Sequence, residues 1–128
     1  MAITMTVDHE RRQVDAVAAG PIRYAEIEHH LREERCFNGL AYKEFIDACG
    51  ATLSFVLHPA EIRQIVALVR SLAKESKFGP TAILVPNDFA FGIVHMMGIL
   101  VEDVAEIRPF HDESEALAWL AAESAKSQ

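Results

Sequence analysis

With 128 residues, 51% of them hydrophobic and 24% charged, the chain is sized for one soluble domain whose core needs no disulfide or metal staple. Its net charge of −7 repels phosphate backbones and no Lys/Arg cluster offsets it, which excludes nucleic acid as a partner and leaves no polybasic patch for a membrane surface. The longest nearly apolar run, residues 89–101, is too short to span a bilayer and is interrupted by His95, so no membrane insertion is expected.

Residues 1–10 alternate polar and apolar side chains instead of forming an export signal. Cys36 and Cys49 lack C-x-x-C spacing, so a cytoplasmic location with reduced thiols is expected. No linker or repeat divides the chain. One domain over residues 1–122 and a frayed tail over 123–128 are expected.

Ile3, Met5 and Val7 alternate with Thr4, Thr6 and Asp8, the pattern of a half-exposed strand. After the polar turn at residues 9–12, residues 14–18 read as a second strand, paired antiparallel with the first. Gly20-Pro21 breaks that strand, with Pro21 placed to start a helix. Ile22, Ala25, Ile27 and Leu31 form its apolar stripe, while Glu26, Glu28, Arg32 and Glu33 face water. Glu28 and Arg32 are an i,i+4 pair, and Asn38-Gly39 supplies a stop.

Residues 42–49 read as the third strand and residues 50–58 as a connection. Pro59 opens the clearest helix, with Ile62, Ile65, Val66, Val69, Leu72 and Ala73 on one face. The continuous apolar run 81–85 suits a central strand covered on both sides. Asn87-Asp88 can cap the next helix, which carries Phe89, Phe91, Ile93, Val94, Met96, Met97, Ile99 and Leu100. Apolar nearly all round, that helix must be covered on more than one side, by its own domain, a second subunit or a ligand. Residues 104–110 read as the last strand. Asp112 and Glu115 then form a capping box for a final helix that points Leu117 and Leu120 inward.

The order β-β-α-β-α-β-α-β-α calls for an α/β fold: a five-stranded, mostly parallel sheet with one antiparallel N-terminal strand and helices packed on it. In this order, and in AYKEFIDACGA, AILVPNDFAFGIVHMM and IRPFHDESEALAWL, the chain resembles the SpoIIAA-like fold of the STAS superfamily, most closely a branch of stand-alone bacterial proteins distantly akin to CRAL-TRIO lipid-transfer domains. The resemblance covers nearly the whole chain. Anti-sigma antagonists of that superfamily carry a phosphorylated Ser at a helix N-terminus after the third strand. Here that position holds His58 or Pro59, and the alternative alignment on Asp47-Ala48-Cys49-Gly50 also offers no Ser. The resemblance therefore implies a STAS-like domain without the phosphoserine switch.

No catalytic constellation stands out. His29 and His30 are adjacent and point to different faces of a helix, and no H-E-x-x-H or carboxylate triad is visible beside them, so neither metal nor cofactor is expected. Asp47 and Cys49 near the end of the third strand, Asn87 and Asp88 after the central strand, His58 at a helix start, and Phe91 make up the expected ligand or partner surface. Phe89, Ile93, Met96, Met97 and Leu100 make up the expected oligomer interface. The leading expectation is a non-catalytic domain acting through protein contacts, as a homodimer or with another protein. The alternative is a small module for an apolar, lipid-like or anionic metabolite, and an enzyme using Asp47, Cys49 or His58 comes third.

Overall fold

A computed structural model describes residues 2–37 and 41–126. The helix stop expected at Asn38-Gly39 lies outside the described residues. Strand β1 (Ile3–Asp8) pairs antiparallel with β2 (Gln13–Pro21). Without Asn-Gly, the turn closes through a side chain: Asp8 Oδ1 accepts the Arg11 N–H at 3.0 Å, and Arg12 takes a left-handed φ of 53°.

Gly20-Pro21 does not break β2 as expected. Strand β3 runs over Lys43–Thr52, three residues past the expected end, and gives Gly20 and Pro21 parallel partners in Ala51 and Thr52. A register shift between Val17 and Ala19 accommodates the extension. Helix α1 (Tyr24–Phe37) consequently starts after Pro21, where Glu26 Oε1 accepts the Arg23 N–H at 2.7 Å. The expected connection at 50–58 is thus partly strand, and a short 3-10 helix (Ser54–Leu57) fills the rest.

Helix α2 (Pro59–Glu75) begins at the expected proline and buries Ile65, Leu68, Val69 and Leu72. Arg35 of α1 covers its end, donating to the Leu72 carbonyl at 2.7 Å and to Ser76. Strand β4 (Thr81–Leu84) follows Gly79, where a Cβ would lie 2.1 Å from the Tyr42 carbonyl oxygen. Helix α3 (Asp88–Leu100) is capped by Asn87 Oδ1, which accepts the Ala90 N–H at 2.9 Å. Its expected successor strand is shorter than 104–110. Residues 101–105 stay in a turn, where the Val104 and Ala105 N–H groups both donate to the Val101 carbonyl at 2.9 Å, and β5 spans Ile107–Phe110. Helix α4 (Glu113–Lys126) is capped by Asp112 Oδ2 at 3.2 Å from the Glu115 nitrogen. It runs to Lys126, and residues 127–128 of the tail expected over 123–128 lie outside the described residues.

The sheet order is β1-β2-β3-β4-β5, antiparallel at the first pair and parallel thereafter. Parallel crossovers of one hand, taken in sequential order, set their helices on one face. Accordingly α1, α2 and α3 cover the face that carries Ala18, Ile46, Ala48 and Ile83. Helix α4 crosses back over the other face, against Phe45, Ala82 and Leu84, through Ala116 and Leu120. Leu117, expected to point inward, is exposed; Ala116 takes the inward position.

Candidate functional site

The three-helix face does not close completely. A cavity of about 160 Å³ lies between α1, α2, α3 and the sheet, walled by Ile22, Ile46, Phe55, Ile65, Val94 and Met97 among others. Its lining is almost wholly apolar; polar residues enter only as His30, Glu44 and Thr81. An apolar space of this size accommodates a benzene-sized molecule.

Beside the cavity, three buried ionisable side chains meet. His30 and Glu34 are one turn apart on the inner face of α1, and Glu44 projects from β3 toward them. His30 Nε2 lies 2.7 Å from Glu44 Oε2 and 3.4 Å from Glu34 Oε2. All three are buried, and Glu34 Oε2 makes no hydrogen bond. Burial, then the neighbouring Glu44 charge, pushes the Glu34 carboxyl up to about 9. Burial also lifts Glu44 to about 7, against the lowering effect of its contact with Glu34. Burial lowers His30, partly offset by Glu34 and Glu33. Near neutral pH the cluster therefore holds a neutral imidazole and a protonated Glu34, because two adjacent carboxylates stripped of water do not both ionise.

The expected surface residues lie elsewhere, and neither main cavity gathers Asp47, Cys49, His58, Asn87 and Asp88. Asp47 Oδ1 accepts the Cys49 N–H at 3.0 Å, at the irregular stretch of β3. Burial and the Asp47 carboxylate push the Cys49 thiol up, the opposite of what activates a nucleophile. His58 precedes α2 without a side-chain cap bond, and among the described residues no side-chain hydrogen bond joins it to Cys49. Asn87 is occupied as the α3 cap. Asp88 pairs with His111 at 3.3 Å, and the His111 ring stacks on Phe91 at 4.6 Å between centroids. Phe91 in turn lines an open groove between α3, β5 and α4.

Helix α3 divides the expected interface set. Ile93 and Met97 pack against the core, with Val94 and Ala90. Gly98 touches β5 so closely that a Cβ would lie 2.4 Å from the Ile107 carbonyl oxygen. The opposite face is wet: Phe89 is 65%, Met96 38%, Ile99 52% and Leu100 44% exposed. The chain itself thus covers α3 on its inward side only, and the cover expected for the other side falls to a second subunit or a ligand.

No family model and no curated protein matches the sequence. The backbone, however, superposes on the crystal structure of an uncharacterised DUF3478-family protein with a SpoIIAA-like fold from Shewanella loihica PV-4, at a TM-score of 0.61 and 16% identity, over 93% of this chain and 94% of that one. This chain has a SpoIIAA-like fold. The SpoIIAA-like sheet order and its three-helix face are what bring α1 over β3 and so assemble the buried cluster. At 16% identity the likeness shows the fold alone.

The residues missed by sequence reasoning are Glu34 and Glu44. Two signals pointed to them. Ile27, Leu31 and the His30–Glu34 spacing continue one inward stripe of α1, and Glu44 falls at the two-residue spacing of the apolar Ile46 and Ala48 on one face of β3. No helix among the described residues is long and apolar enough to cross a membrane.

Proposed function

We propose that this SpoIIAA-like domain is a non-catalytic module that works through protein contacts, with a second copy of the chain as its first partner. The outward stripe of α3 carries this reading. Phe89, Met96, Ile99 and Leu100 follow helical spacing along one face, with exposed Gly92 between them. No heavy atom from elsewhere in the chain lies within 4 Å of where a Gly92 Cβ would sit, so a partner helix could approach the backbone there. Four large apolar side chains in water are the composition of an interface core, and a symmetric dimer covers the stripe with a copy of itself.

The test is the mass in solution. Wild-type protein at about 100 μM should run as a dimer by light scattering, about two orders of magnitude above a micromolar dissociation constant. The pair Phe89→Lys and Met96→Lys should give a monomer with an unchanged far-UV spectrum. A wild-type monomer, or a double variant that stays dimeric, rejects the reading.

The cavity supports a second reading, a module for a small apolar metabolite. Its volume of about 160 Å³ limits the ligand to benzene-like dimensions. Native mass spectrometry of freshly purified protein should then reveal a co-purified molecule of that size.

A further inference from the structure

We propose that His30, Glu34 and Glu44 bind one divalent transition-metal ion, of which Zn²⁺ is the test case, through His30 Nε2 and one oxygen from each carboxylate. The potential ligand atoms lie within 4.8 Å of one another, and all three residues are buried. They come from two regular elements, one helical turn of α1 and the start of β3, so the ligands are held by the fold and not by a loop.

The geometry sits close to that of a bound ion. Zinc bonds of about 2.0–2.2 Å in a tetrahedral site put ligand atoms about 3.4 Å apart. His30 Nε2 and Glu34 Oε2 already stand at 3.4 Å. The 2.7 Å separation of His30 from Glu44 is that of a hydrogen bond and would open when the ion replaces its proton.

A second, independent observation points to a missing partner. The Glu34 side chain is only 9% exposed, its Oε2 faces the imidazole, and that atom makes no hydrogen bond. The carboxyl touches Glu44, but a buried oxygen left in this state costs about 1–3 kcal/mol, which natural folds seldom tolerate without a partner such as a water or an ion. One divalent cation against two carboxylates and a neutral imidazole gives a site with no net charge. An imidazole with two carboxylates suits zinc, iron or manganese better than calcium, which prefers six to eight oxygens. His30 and Glu44 also line the apolar cavity, which places a fourth position within reach of a small ligand or water.

The experiment uses the full chain stripped with a chelator, then titrated with Zn²⁺ against a chromophoric competitor. One equivalent should bind, the melting temperature should rise with added Zn²⁺, and the His30 ring signals should shift in NMR spectra while those of His29 do not. Glu34→Gln and His30→Gln should each weaken binding on the order of 100-fold. Glu34→Gln keeps the side-chain shape and replaces a protonated carboxyl with a neutral amide, so it is expected to fold; its far-UV spectrum verifies this. Unchanged affinity in both variants would assign the ion to surface histidines and overturn the proposal. No binding by wild-type protein at about 100 μM Zn²⁺, a free energy weaker than about −5.5 kcal/mol, would overturn it equally. Neither result bears on the α3 contact, which is read by mass alone.

Discussion

The two faces of the sheet are packed in opposite ways. On one, α4 alone lies against β3, β4 and β5, and small residues let it come close: Ala82 and Ala116 are fully buried, with Leu120 between strand and helix. On the other, three helices share the surface, and the place where they meet holds a polar cluster and an apolar gap. One helix can settle into its best contact with a sheet. Three helices joined in sequence must each satisfy a crossover as well as a contact, and space remains at their junction. The tight face supplies stability; the loose face supplies room for chemistry.

Truncation on the tight face should have the largest effect. Leu120→Ala removes a side chain that is 1% exposed and should cost about 2–5 kcal/mol in urea unfolding, with the m-value unchanged. A loss under about 1 kcal/mol would show that α4 is not closely packed. Added methyl groups sharpen the contrast between the faces. Ala82→Val on the tight face should cost about 1–3 kcal/mol, whereas Ala48→Val, which lines the cavity, should fall within about 0.5 kcal/mol of wild type or be stabilising. Equal penalties would mean the cavity is not available space.

The pH dependence of stability distinguishes the two kinds of carboxylate. Glu34 faces His30, Glu44 and Arg35, with Glu33 nearby, and Asp15 acts on Glu44 from β2. A carboxyl raised in the folded state binds more protons there than when unfolded, so stability is full below about pH 4.5 and falls as pH rises toward 9. In chelator-treated protein, Glu34→Gln should therefore raise the unfolding midpoint at pH 8 and lose that advantage at pH 4. Glu61 behaves in the reverse sense. Its bonds to Arg23 and to the Tyr24 N–H hold it down to about 2, so its contribution is present above pH 4.5 and disappears as pH falls toward 2. Glu61→Gln should destabilise at pH 7 and be neutral at pH 2, by circular-dichroism melting. Parallel profiles for the two variants would contradict the assigned environments.

Much of the architecture was legible because it rests on local pattern. The run 81–85, the one-sided stripe of α2, and the caps at Asn87 and Asp112 each specify an element through chemistry within a few residues. The failures share a cause. Pro21 and residues 50–52 were misplaced because their strand character comes from pairing with each other, thirty residues apart in the chain. The end of α4 and the direction of Leu117 were set by how far that helix reaches over the sheet. The candidate site was the least legible part. Glu34 reads as a solvated helix residue until β3 is laid beneath α1, fourteen residues separate His30 from Glu44, and only the fold removes the water between them.

By itself the sequence determined the order of elements, their parallel arrangement and the greasiness of α3, since side-chain periodicity and backbone capping act over short range. The tertiary structure alone decided which side of α3 stays wet and which acids lose their solvent. Burial is a property of what packs against a residue, and a single stretch of chain does not contain its neighbours.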